Sequence, residues 1–277
     1  MQRLILFFSC FVFFTACNEK PVIVPPFEAP VSNRVVLLEE LTGVGCQNCP
    51  QGSAIAESLA ESVFPGQVII VGVHGNFLTE MLANSKYNFK NQDAVDLELY
   101  LKPWQGKPCA SINRVLFEGE DQLANNKPGE WQGLVNDILQ QPHQVELVFS
   151  HEFDAVSGEL TVNVGIAPLM DIPQGEFRLT VMLTESHMID PQKNGNIIED
   201  DYEHNHVLRD IVTNFDGDVI GNSFTKGSNL TRTVTANIQE IVDGEWLPEN
   251  MHIVVAIANT GGVGKDIMQA AEAHLME

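Results

Sequence analysis

Polar and apolar positions fall into three regimes along the chain. Leu4 to Phe14 is an apolar run interrupted only by Ser9, shorter than the roughly 20 residues that span a bilayer and of the size of a signal-peptide core. From Arg34 onward, compact apolar runs alternate with stretches of helical spacing. Arg34–Leu41 ("RVVLLEEL") predicts a buried strand. Ile55, Ala56, Leu59, Ala60 and Val63 share one helix face, and Pro65-Gly66 ends that helix. Gln67–Gly75 ("QVIIVGVHG") predicts a second strand with no polar alternation, as expected when both sheet faces are covered. A helix follows around Asn91–Leu101, then a third strand after the turn in "GKPCASINRVLFEG". A helix over Gly129–Gln141 sets Trp131, Leu134, Val135 and Ile138 on one face.

Beyond Pro142 the period becomes two. "HQVELVFSHEF", "GELTVNVGIAPL", "EFRLTVMLTES", "NHVLRDIVTNF", "SNLTRTVTANI", "MHIVVAIANT" and "KDIMQAAEAHL" are short segments separated by turn residues such as Ser157-Gly158, Gly217 and Gly261-Gly262. These regimes divide the chain into a signal at 1–16, a proline-rich tether at 17–33, a strand–helix alternating domain at 34–142 and an all-β domain at 143–277. Alternation in the third part predicts an α/β sheet with helices on both faces. About seven helix-free strands in the last predict an immunoglobulin-like β-sandwich.

Phe14-Thr15-Ala16-Cys17 leads through small residues to a cysteine and resembles a bacterial lipoprotein signal, with Phe14 where an aliphatic residue is usual. Cleavage would leave Cys17 as a lipidated N-terminus; an ordinary secretory signal or an N-terminal anchor are the alternatives. Export places the chain in an oxidising compartment. Of five cysteines, Cys10 leaves with the signal and Cys17 carries lipid, so Cys46, Cys49 and Cys109 remain, an odd number. The formal charge is −22, and removing residues 1–16 takes away only Arg3. So acidic a surface argues against nucleic acid and against electrostatic binding to anionic lipid; attachment to the membrane falls to the lipid at Cys17.

Cys46 and Cys49 bracket Gln47-Asn48 between the first strand and the first helix. Structural zinc needs four ligands, and this half adds only Cys109 and His74, neither in a knuckle spacing, so no metal and no cofactor is assigned. A staple closing so short a loop removes little entropy from the unfolded chain. A redox pair fits the position better. At a helix start, unpaired N–H groups and the helix dipole favour thiolate over thiol. Cys46 is then the exposed nucleophile and Cys49, one turn inside, the resolving thiol. Cys109 reads either as a small buried strand residue or as a third redox thiol.

The order strand, short loop, Cys-x-x-Cys and helix, with a proline before a later strand, resembles thioredoxin-like proteins. That resemblance implies a buried acid six residues before the first cysteine, and Glu40 stands there; it could relay a proton to and from Cys49, or be a solvated strand-end carboxylate. It also implies a cis-proline facing the cysteines, for which Pro108 is the candidate, while Lys107 would offer its backbone to an extended substrate. Gly45 replaces the usual aromatic before the first cysteine, and Gln47-Asn48 is not the proline-containing pair of thioredoxin itself. As a set, the lipobox, "EELTGVGCQNCP", "GKPCASINR", the all-β second half and "DDYEHNHVLRD" are similar to the outer membrane protein 28 family, thioredoxin-like lipoproteins of Gram-negative envelopes. The resemblance implies an outer-membrane lipoprotein and leaves the role between redox and adhesion.

Other motifs are weaker. "NTGGVGKD" has Asn259 and Asp266 where a phosphate loop needs Gly and Ser or Thr, and reads as a hairpin turn. His204 and His206 would share a face if "DDYEHNH" were a strand. Asp216 and Asp218 lack the remaining positions of a calcium loop. The first functional expectation is therefore a lipid-anchored envelope thiol–disulfide oxidoreductase working on extended or disulfide-bearing protein substrates. The second is an adhesin-like surface lipoprotein on an inert scaffold.

Overall fold

The computed structural model describes residues 33–262 and 264–276. The expected signal peptide, the lipidation at Cys17 and the tether up to residue 32 lie outside the described residues.

Apolar runs of the first half become β1 (Val36–Leu41), β2 (Val68–Val73) and β3 (Cys109–Ile112), with a short β4 (Ala124–Asn125) beside β3. β1 pairs with β2 in parallel and with β3 antiparallel. Every residue of β1 and β2 is buried, which is why neither shows the alternation of a one-sided strand. The helical segments become α1 (Cys49–Ser58, continued by a π-helical turn over Leu59–Val63), α2 (Gln92–Tyr100) and α3 (Trp131–Leu139). Asn91 starts α2 by accepting the Ala94 N–H at 2.8 Å. Ala56 and Leu59 after the cysteines and Trp131, Val135 and Ile138 of α3 pack on one sheet face, against Val36, Leu38, Ile70 and Ile112.

The second half folds as β5 (Val145–Asp154), β6 (Glu159–Pro168), β7 (Phe177–Glu185), β8 (Met188–Asn194), β9 (Ile197–His204), β10 (Val207–Ile211), β11 (Asp218–Gly221), β12 (Leu230–Asn237), β13 (Met251–Asn259) and β14 (Asp266–His274). β13 and β14 are antiparallel neighbours, so "NTGGVGKD" joins two paired strands. Among the described residues, nine strands form one mixed sheet in the order β14-β13-β7-β10-β2-β1-β3-β4, with β11 on β7. β12-β6-β5 form a second sheet, and β8-β9 stand apart as a hairpin.

The expected α/β thioredoxin-like domain followed by an all-β immunoglobulin-like sandwich is corrected by this topology. The described residues are mostly β with short helices, and no thioredoxin-like α/β core is present among them. The first-half strands do not close a sheet of their own. Gly72 of β2 bridges Val207 of β10 in parallel and donates its N–H to the His206 carbonyl at 2.7 Å. An unpaired edge is a liability, and here the second half covers it. The apolar interior is shared as well: Leu37, Val71 and Leu97 pack in one cluster with Met182, Val254 and Ile267. The smaller sheet buries its inner face against β7 and β13 through Val162, Val164, Leu179 and Val255.

Candidate functional site

β1 carries Glu40 to the end of the sheet, where residues 42–48 turn back into α1. That turn is tight. The Cys46 N–H donates to the Gly43 carbonyl at 2.9 Å and the Cys49 N–H to the Cys46 carbonyl at 3.2 Å. A Cβ on Gly43 would lie 2.4 Å from the Leu78 carbonyl oxygen, so only glycine lets the loop press on this segment. Cys46 and Cys49 form a disulfide, S–S 2.07 Å and Cα–Cα 5.3 Å. Pro50 follows at the first helical turn, where its missing N–H leaves no donor unpaired.

Glu40, which lines one cavity together with Cys49, is 3% exposed. The Ser53 hydroxyl donates to its Oε1 at 3.0 Å and also lies 3.2 Å from the Cys49 carbonyl. Burial pushes the Glu40 carboxyl up to about 8, and Glu57 adds to the shift; Ser53 and Lys107 act the other way without overcoming burial. The Lys107–Pro108 peptide is cis, and Pro108 packs on α1 at Gly52. A Cβ on Gly52 would lie 2.6 Å from Pro108 Cβ and 3.1 Å from Glu40 Oε1. The Lys107 ammonium is spent internally, on Glu98 at 2.7 Å and on the carbonyls of Thr42 at 2.7 Å and Phe77 at 2.8 Å. That leaves its backbone, not its charge, for any docking role.

Cys109 is a free, fully buried thiol facing the shared core from β3, opposite Leu41. Burial pushes it up to about 12, so it is not a thiolate at ordinary pH.

The expected exposure of Cys46 is corrected. Cys46 is 2% and Cys49 1% exposed, because the β8–β9 hairpin lies over the loop. Gln192 Nε2 donates to the carbonyls of Cys46 at 3.0 Å and Gly43 at 3.3 Å. The Lys193 N–H reaches the Val44 carbonyl and the Gly195 N–H the Gln47 carbonyl, both at 2.8 Å. Only Gln47 and Asn48 of the four-residue motif remain exposed.

Between hairpin and α1 the structure encloses a cavity of about 20 Å³, lined by Glu40, Cys49, Ser53, His74, Tyr202 and His204 among others. Burial holds the imidazoles of His74, His204 and His206 below their ordinary range, the last two near 4. His204 closes β9 while His206 sits in the following turn at φ 56°, so the two do not share a strand face. No group of three or more His, Cys, Asp or Glu among the described residues is set to hold a metal. Asp216 is paired with Arg178 at 2.9 Å and Asp218 accepts from Asn214, which accounts for the other acidic motif.

Sequence reasoning missed Ser53, Gln192 and Tyr202. Ser53 had a faint signal, four residues after Cys49 and hence on the same helix face. Gln192 and Tyr202 had none, since they reach the site only through the fold.

The family model for outer membrane protein Omp28 matches residues 100–275. The chain belongs to the Omp28 family. The matched span takes in Lys107, Pro108, Cys109 and the β8–β9 hairpin but begins after the Cys46–Cys49 pair. Among solved structures, this Omp28-family chain is similar to HBP35 of Porphyromonas gingivalis, with TM-score 0.67, 17% identity, and 90% of this chain and 77% of that one covered. It is also similar to the X-ray structure of a protein from Agrobacterium tumefaciens, with TM-score 0.51, 13% identity, and coverage of 89% and 95%. At such identities the likeness is one of fold alone. No curated protein matches the sequence. The family is described as an outer membrane protein, and no helix among the described residues is long and apolar enough to cross a membrane.

Proposed function

We propose that this protein is a thiol–disulfide oxidoreductase of the cell envelope, held at the outer membrane by lipid on Cys17 and acting on protein thiols and disulfides through Cys46 and Cys49. The observation that carries the reading is one cavity lined by both Cys49 and Glu40, a carboxyl that burial pushes up to about 8. A thiol couple working near neutral pH needs a proton donor and acceptor of that kind beside the leaving sulfur. A protein dithiol would attack Cys46 Sγ as thiolate; the Cys46–Cys49 bond breaks and the electron pair leaves on Cys49. Glu40 gives its proton to that thiolate. The second substrate thiolate then displaces Cys46, so the substrate is oxidised by two electrons and the pair reduced. The backbone of Lys107 beside cis-Pro108 is the docking edge for an extended segment of that substrate.

One observation favours a second reading. Both sulfurs are buried beneath the hairpin, which suits an adhesin-like envelope lipoprotein whose disulfide never turns over. Cys49→Ala separates the two. In the envelope, the oxidoreductase accumulates mixed disulfides through Cys46. Absence of such adducts, together with failure of the purified chain to exchange with a model dithiol or disulfide, eliminates the enzymatic reading.

A further inference from the structure

A buried carboxyl that gives up a proton must be resupplied, and Glu40 at 3% exposure has little direct contact with bulk water. Its route is limited by what adjoins it. Behind it stand the buried β1 and β2; beside it, Pro108 packs on Gly52. The open direction is the cavity under the hairpin. There the Ser53 hydroxyl, 3.0 Å from Glu40 Oε1, lines the same cavity as Tyr202 of β9. Tyr202 is half-buried, between this interior and the acidic outer strand. A cavity of about 20 Å³ is large enough for one water, and its polar lining supplies partners.

We infer that Ser53 and Tyr202 form the proton path between Glu40 and solvent, so that a hairpin of the second half completes the redox site of the first. This rests on the oxidoreductase reading for its purpose but not for its geometry. When Glu40 has given its proton to the Cys49 thiolate, Ser53 passes its hydroxyl proton to the carboxylate and takes one from Tyr202 by way of the cavity that both line. The phenol is refilled from water at the surface. Each hydroxyl loses one proton and gains one, so neither is left charged, and the Tyr202 phenol, held up to about 12 by burial, never has to ionise. Tyr202 is thus a positioning residue and conductor. It touches neither sulfur nor substrate in this role.

The titratable groups facing Glu40 are Glu57 on α1, Lys107 and Cys109 around cis-Pro108, and Tyr202 on β9; His74 and His204 line the same cavity. A pH jump followed by infrared spectroscopy on the full oxidised chain tests the path without any redox substrate. The Glu40 carboxyl band is assigned by its loss in Glu40→Gln. Tyr202→Phe keeps the ring and removes only the hydroxyl, and Ser53→Ala removes the neighbouring one. Each should slow protonation of Glu40 by about 10-fold or more, while amide protection at Lys193 and Gly195 shows the hairpin still seated. Wild-type protonation rates in Tyr202→Phe would overturn the path. So would slowing accompanied by lost protection at those amides, which would trace the effect to the hairpin's seat. Glu40 protonation slowed in both variants with the hairpin still seated, but no mixed disulfides from Cys49→Ala, would instead retain the path and remove the oxidoreductase.

Discussion

The side-chain amide of Gln192 donates to the backbone carbonyl of Cys46 at 3.0 Å across 146 residues of sequence. With the Lys193 and Gly195 amides on Val44 and Gln47, it ties the β8–β9 hairpin to the disulfide loop from above. Gln192→Ala removes the side-chain donor from the Gly43 and Cys46 carbonyls, which keep their N–H partners within the turn, at about 0.5–1.5 kcal/mol. It should also loosen the cover, so the Cys46–Cys49 disulfide is reduced faster by a small phosphine than in the wild type. Equal reduction rates in the two proteins would show that the hairpin does not control access.

Stability should fall as pH rises above neutrality, and Glu40 should carry part of the fall. Glu40 and Glu272 titrate at about 8 and 7 in the fold and near 4.5 in the unfolded chain, both raised by burial. The unfolded state therefore binds fewer protons between about pH 4.5 and 8, and stability decreases across that window. His204 and His206, lowered from 6.5 to about 4, act in the opposite sense and only below 6.5. Unfolding free energy in urea should drop between pH 6.5 and 8 and then level. Glu40→Gln should make the drop smaller; an unchanged slope would refute the raised carboxyl.

Arg114 and Glu39 form a wholly buried pair, with Nε 3.1 and 3.0 Å from the two carboxylate oxygens and Nη2 at 2.5 Å. Breaking one side strands a charge in the core. Arg114→Met should destabilise by about 3–5 kcal/mol, and adding Glu39→Gln should recover part of that. Denaturant midpoints of the single and double variants give the comparison; a double variant no better than the single would deny the coupling.

Gly52→Ala probes the packing of the site. The added methyl would meet Pro108 Cβ at 2.6 Å, an approach that α1 can relieve only by lifting off. Destabilisation of about 1–3 kcal/mol is expected, with a shift of the Glu40 titration as its packing changes. A stable variant with an unmoved Glu40 band would mean that α1 and Pro108 are not in firm contact.

The local elements were legible because their causes are local. Two-sided burial of β1 and β2 shows as compact apolar runs without polar alternation, and helix faces show as 3.6-residue spacing around Ala56 and Trp131. The motif between strand and helix could be read directly, whereas the acid six positions before it was singled out only through the family resemblance. β9 was not: "IIEDDYEH" is outwardly charged and presents no apolar face, although Tyr202 and His204 turn inward.

By itself, then, the sequence determined most of the strands, the three helices of the first half and the closely spaced pair Cys46 and Cys49. Only the tertiary structure decided that the two halves share a sheet and that the hairpin covers the sulfurs. A single parallel bridge between Gly72 and Val207, and an amide reaching back to Cys46, depend on chain segments more than a hundred residues apart. Periodicity reports which face of a segment is buried. It carries no information about which distant segment does the burying.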